Sequence, residues 1–288
     1  MVNMIKFISR SIYFYLGGKE EFMTGKEKTV NLYENKNQLI TDAIDKIVVE
    51  IFNKSDKADG AQTVLLTGCS PLVGTTSTCI SLGIAIATTQ RKTLLIDCDV
   101  RKAIKYKKLN EQTSKGLANY LLQDNNKEEL PLEDVIYGTN IENLSYIPCG
   151  DYTESSTRIL CSTRMEKLLK EVKEKYDYII FDFPSLAIVP DAQILFQSVD
   201  GIVLLAALGE TRKKQIKQAK LKIAPFADKY YGMIVNKVEL DMYRQNVRDY
   251  DYYFMDKTGE QKLKGNVPYK KYQRNTQQTG GEQGNDEK

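Results

Sequence analysis

From Thr63 to Val238, short uninterrupted apolar runs alternate with stretches of helical period, and outside that interval the pattern fades. Thr63–Gly68, Thr93–Asp97, Leu144–Pro148, Tyr178–Asp182, Gly201–Ala206 and Tyr230–Val235 are apolar at nearly every position, not at every second one. Such runs predict strands covered on both faces, the habit of a parallel sheet. Between them, Thr78–Ala87, Gly116–Gln123, Met165–Lys175 and Arg212–Ile223 read as helices. Upstream, Leu39–Phe52 places Leu39, Ile40, Ala43, Ile47 and Ile51 on one helical face,. Strands and helices in alternation predict an α/β fold, three layers deep, with a mostly parallel central sheet.

The flanks carry a different signal. Residues 1–37 read as a leader and linker, 38–240 as one domain, and 241–288 as a disordered tail, Gln- and Gly-rich at its end,. Met4–Leu16 is apolar but broken by Lys6 and Arg10, with no small-residue cleavage site after it,. It reads as a loosely docked leader, with weak membrane-surface contact as the alternative. No apolar run reaches the roughly 18 residues of a membrane-crossing helix.

Charge and composition narrow the chemistry. Lys and Arg number 41 against 38 acids, a net +3, so no basic excess calls for nucleic acid,. Histidine is absent, which excludes imidazole catalysis and imidazole metal ligation. The five cysteines form no C-x-x-C pair, and Cys79 and Cys98 fall in core elements, where reduced, buried thiols are expected,.

The run Thr63–Gly68, the loop Cys69-Ser-Pro-Leu-Val-Gly-Thr-Thr-Ser77 and the helix after it follow the strand–loop–helix order of a phosphate-binding loop,. In such a loop, backbone amides and a helix N-terminus cradle phosphates, and Gly74, Thr75, Thr76 and Ser77 are the candidates here. Two positions depart from a working loop. Leu72 stands where the inner glycine would be, and Thr75 where the lysine would be. A neutral hydroxyl cannot supply the cation that meets the β- and γ-phosphates. Thr76 and Ser77 keep hydroxyls that suit Mg²⁺.

Acidic residues follow two later strands. Asp97 and Asp99 end one and are followed by Arg101 and Lys102; Asp182 ends another. Carboxylates near phosphates are what Mg²⁺ needs, together with water and phosphate oxygens, and one of them could accept a proton from an attacking hydroxyl. Alone, each would read equally well as a strand-end or helix-cap acid.

Taken in order, these features resemble the bacterial tyrosine kinases (BY-kinases) of capsule and exopolysaccharide synthesis, over about residues 38–240. Leu94–Lys102 is similar to that family's second Walker motif and Tyr176–Pro184 to its Walker B. Ser114–Leu117, Ile141–Leu144 with Ile147-Pro148, Asp191-Ala192, Asp200–Val203 and Val235–Val238 agree as well. The resemblance implies a MinD-like P-loop fold, ATP and Mg²⁺ as cofactors, and Asp97, Asp99 and Asp182 as the catalytic acids. It further implies Thr76, Asp97 and Asp182 around the metal, Arg101 beside the nucleotide, and Asn236 near adenine.

The family's C-terminal tyrosine cluster is similar to Tyr250, Tyr252, Tyr253, Tyr269 and Tyr272 here, which the resemblance implies as phosphoacceptors. Its ring-forming helix carries two arginines where this chain has Asp45 and Val48, which argues against a self-assembled ring. The expected partners are a membrane polysaccharide co-polymerase and an intact kinase paralogue, at the inner face of the membrane. The preferred reading is a member with weak or absent kinase activity. An active tyrosine autokinase and a MinD/ParA-like positioning ATPase stand beside it.

Overall fold

A computed structural model describes residues 4–6, 29–33, 37–55, 60–101, 113, 115–122 and 130–239. All lie in Met1–Asn246, the first of the two units into which the chain divides. Lys102 and the tail tyrosines from Tyr243 onward lie outside the described residues.

The strands are β1 (Met4–Lys6), β2 (Thr29–Val30), β3 (Gln62–Gly68), β4 (Thr93–Asp97), β5 (Tyr137–Thr139), β6 (Leu144–Ile147), β7 (Tyr178–Phe183), β8 (Gly201–Ala207) and β9 (Tyr230–Asn236). They form one sheet in the order β1-β9-β8-β3-β7-β4-β6-β5-β2. Every neighbouring pair is parallel except β5 with β6. In β3, β4, β7 and β8 every residue is buried, as their continuous apolar runs require,. The helices are α1 (Gln38–Ser55), α2 (Thr75–Ala87), α3 (Leu117–Leu121), α4 (Ser156–Leu160), α5 (Thr163–Lys175), α6 (Asp191–Leu195) and α7 (Lys213–Ile223).

Helix α1 buries Leu39, Ala43, Ile44, Ile47, Val48 and Ile51 and packs against α2. Arg91 clips its C-terminal end to the sheet: the guanidinium lies 4.3 Å from the Phe52 ring centroid and donates to the Tyr178 hydroxyl at 3.0 Å,. On its outer side Gln38 Nε2 donates to Asp42 Oδ1 at 2.8 Å. Partial burial, and then the neighbouring Asp42 charge, push the Asp45 carboxyl up.

The linker reading of 1–37 does not hold for Thr29–Tyr33. β2 pairs with β5, and Val30 and Leu32 are buried. The Asn140 amide joins the Leu32 backbone on both sides, accepting from its N–H at 2.6 Å and donating to its carbonyl at 3.0 Å. Two apolar residues spaced by two are too brief a period to stand out in a polar stretch, yet they cover a sheet edge. At the opposite edge, Met4–Lys6 pairs with Met233–Val235 of β9, so the leader also contributes backbone to the sheet.

Candidate phosphate-binding site

β3 runs into the loop 69–74 and then α2. At Gly68, a Cβ would come within 2.8 Å of both the Ser70 carbonyl oxygen and Val73 Cγ2, so the loop can close this tightly only over glycine. Gly74 precedes α2 with φ 88°, and a Cβ there would collide with Asn236 Nδ2,. That amide, buried at the end of β9, donates to the Val73 carbonyl at 2.8 Å, while Asn236 Oδ1 accepts from the Lys237 N–H at 2.8 Å. Three further bonds brace the loop: Ser70 Oγ to Thr211 Oγ1 at 2.8 Å, Ser185 Oγ to the Gly68 carbonyl at 3.0 Å, and Thr67 Oγ1 to the Pro184 carbonyl at 2.7 Å. No side chain caps α2, and its first turn carries no acid. Its leading amides therefore keep the positive end of the helix available to an anion.

Leu72 also takes a left-handed backbone, at φ 56°, with its side chain 85 % exposed. A non-glycine residue there costs about 1–2 kcal/mol. Leu72→Gly removes that strain and loses little packing, and part of the gain is offset by the freer unfolded chain. Denaturant unfolding should therefore show a rise in stability of about 0.5–1 kcal/mol. A fall would mean that the Leu72 side chain stabilises the loop.

The carboxylates converge at the carboxyl ends of β4 and β7, where ligands sit in sheets of this kind. Asp97 and Asp182 are register partners, and both are buried. Asp97 Oδ1 accepts from the Asp99 N–H at 3.0 Å, and the Tyr146 hydroxyl lies 3.5 Å from Asp97 Oδ2. The buried Cys79 thiol, on α2 one turn after Thr75, lies close enough to Asp182 and Asp97 to feel both charges. Burial, and then the charges of Asp182 and Asp97, push that thiol well up, while burial and Asp97 do the same to the Tyr146 phenol. Both groups therefore stay neutral beside the carboxylates. The sequence places Cys79 among the buried thiols, as found, but ties neither it nor Tyr146 to the acids; only the tertiary fold brings an apolar-face cysteine and a strand tyrosine there.

An open cleft of about 550 Å³ is lined by the loop 70–77 with Asp99, Arg101 and Asp182. Gly74, Thr75, Thr76 and Ser77 thus share one surface with two of the three acids. Asp97 lies outside this lining, and Asn236 sits behind the loop with its amide committed to the Val73 carbonyl. Among the described residues, no cluster of three or more His, Cys, Asp or Glu could hold a metal ion. A divalent cation here would draw the rest of its shell from phosphate and water.

Arg101 is the basic residue lining the cleft among the described residues. Its guanidinium is paired with Asp191: Nε reaches Oδ2 at 3.0 Å and the terminal nitrogen Oδ1 at 3.3 Å. Asp191, with no exposed surface, also accepts from Ser156 Oγ at 2.8 Å and Thr157 Oγ1 at 3.1 Å, in the first turn of α4. Burial pushes its carboxyl up, but the bonds from Arg101, Ser156 and Thr157 outweigh that and hold it below the usual range. The hydrogen bonds to Asp191 raise Arg101 in turn. Asp191 had appeared only as part of a matching dipeptide, and nothing local in the sequence joins it to a guanidinium 90 positions away.

Residues 72–207 match the family described as AAA domain. The tyrosine-protein kinase CpsD of Streptococcus agalactiae is 34% identical over 166 residues, which is 57% of this chain and 70% of that protein. The tyrosine-protein kinase YwqD of Bacillus subtilis is 31% identical over 192 residues, covering 67% of this chain and 77% of its own. Among solved structures, the kinase domain of the Escherichia coli tyrosine kinase ETK superposes with a TM-score of 0.61 at 25% identity, over 69% of this chain and 76% of that one. The chimerical protein CapA2B2 shares the fold, with a TM-score of 0.64 at 24% identity over 73% of this chain and 92% of that one.

Proposed function

Because the chain belongs to the family of bacterial tyrosine-protein kinases that includes CpsD, we propose that it keeps that family's phosphate cradle while its own phosphoryl transfer is weak or absent. It would act in capsule or exopolysaccharide synthesis, as a regulatory partner of a membrane polysaccharide co-polymerase or of an intact kinase paralogue. Tyr250, Tyr252, Tyr253, Tyr269 and Tyr272 would then be phosphorylated in trans. The observation that carries the reading is Thr75, a neutral side chain at the lysine position of a loop otherwise held in phosphate-binding form.

The residues present fit a nucleotide and Mg²⁺ in shape. Gly74 and the amides of Thr75, Thr76 and Ser77 would hold phosphate oxygens, and the Thr76 hydroxyl, Asp97 and Asp182 the cation. Bound Mg·ATP would supply the γ-phosphoryl group. Asp97 accepts from the Asp99 amide, so this acid is oriented before any ligand arrives. Among the described residues, the site lacks a mobile cation to follow the charge as it spreads over the transferring group,. Arg101 lines the cleft but is bidentate on Asp191, which removes much of its pull on a phosphate,.

Incubation with Mg·ATP and detection of phosphotyrosine tests this. The parent chain should incorporate no more label than Asp97→Asn, whereas addition of an intact family kinase should label the tail. Strong labelling of the parent alone, abolished in Asp97→Asn, would establish the second reading, an active autokinase. The intact loop geometry is the observation that favours that alternative.

A further inference from the structure

Helix α7 links β8 to β9 and has an unusual charge. From Arg212 to Lys229 seven basic residues stand against Asp228 alone, in a chain whose total is only +3, so the remainder is net acidic. Lys213, Lys214, Lys217, Gln218 and Leu221 are exposed, and Leu221 is 63 % accessible. Lys222 and Lys229 are spent inside the fold, on the carbonyls of Leu186 and Gln197 at 2.6 Å each.

An ordinary solvated helix in this protein looks different. α5 mixes signs along Thr163–Lys175 and holds Lys167 and Glu171 at 4.0 Å in an i,i+4 pair. α7 contains no acid at all. Lys213 and Lys217 repel at i,i+4, and Lys213 and Lys214 occupy the first turn, where the helix dipole disfavours cations. None of the ion pairs among the described residues relieves Lys213, Lys214 or Lys217. Both local costs vanish against an external anionic surface.

We propose that this face of α7 docks on an anionic phospholipid surface. Lysines on successive turns meet headgroup phosphates, while Leu221, followed by exposed Ala224 and Pro225, offers an apolar contact to the acyl boundary,. The face carries no exposed aromatic residue for stacking on bases, and Arg212 is its only guanidinium, so it is poorly built for nucleic acid,. The inference stands apart from the phosphate-binding loop and does not depend on nucleotide.

The test is sedimentation of the full chain with phosphatidylcholine vesicles, with and without about 30 % phosphatidylglycerol. The chain should sediment with the anionic vesicles alone, and lose that binding at about 0.5 M salt. Each lysine near the surface is worth about five-fold in partitioning, so K213E/K214E/K217E should weaken binding about 100-fold or more. Leu221→Ser should weaken it about five-fold. All these positions are exposed, and an unchanged melting midpoint confirms that the variants are folded. Four results would each overturn the proposal. These are failure of the parent to bind anionic vesicles, equal binding to neutral ones, parent-like binding by the triple variant, and loss only in K6E/R10E, which would place the contact in the leader. Binding of a poly-glutamate peptide or duplex DNA by a parent that ignores vesicles would assign the face to another partner.

Discussion

Thr75→Lys combined with Leu72→Gly should tighten Mg·ATP binding about 10- to 100-fold, the worth of one charge-assisted contact to phosphate. The cradle is already built for it: Gly68 and Gly74 set the turn, Asn236 pins the Val73 carbonyl, and α2 begins without a competing cap. In the parent, the Thr75 hydroxyl lies 3.4 Å from the position of a Cβ on Gly68, so the side chain at position 75 is directed toward the loop that a lysine would serve. Phosphotyrosine formation should rise more steeply than affinity, by about 10³-fold, because the cation acts most on the charge of the transition state. Calorimetry and a phosphotyrosine assay on the same preparations separate the two effects. Tighter binding without transfer would point to a further defect around Asp97 or Asp182. No change in either would remove the premise that Thr75 is what disables the site.

Asp191→Ala should produce the largest loss of stability. It leaves the Arg101 guanidinium without its carboxylate and two hydroxyls, Ser156 and Thr157, without their acceptor. Breaking a buried pair costs about 3–5 kcal/mol, but Arg101 is 35 % exposed and water can recover part of its solvation, so about 2–4 kcal/mol is expected,. Asp191→Asn keeps the shape and one acceptor oxygen and should lose about half as much. The sign with pH follows from the lowered carboxyl. Its contribution is complete above the ordinary aspartate value of about 3.9 and disappears as pH falls through the lower folded value. Urea unfolding between neutral and acid pH should show the parent and Asp191→Asn converging only at the acid end. A gap that is constant with pH would mean that the ion pair contributes nothing and that packing alone explains the loss.

The parallel sheet was legible because its central strands are buried on both faces, which leaves no polar position to interrupt Thr93–Asp97 or Gly201–Ala207. The loop was legible from the spacing of Gly74, Thr75 and Thr76 after an apolar run. The left-handed backbone of Leu72 showed only as a departure from the motif, since no local pattern reports φ. The edge strand at Thr29 was invisible for a different reason. Its two buried side chains, Val30 and Leu32, acquire meaning only when β5 and Asn140 arrive from more than a hundred residues away. Asn236 shows the same limit: a strand-end asparagine in sequence, it becomes the clamp on the loop through a contact spanning 163 positions.

Sequence alone determined the order of strands and helices, the position of the loop, and the neutral side chain of Thr75 within it. Periodicity and residue chemistry depend only on neighbours along the chain. Tertiary structure decided that Asp97 and Asp182 meet in register, that Cys79 and Tyr146 flank them, and that Arg101 is held by Asp191. Those outcomes depend on strand order and on pairs distant in the chain, which are selected by burial of the whole sheet and not by any local preference.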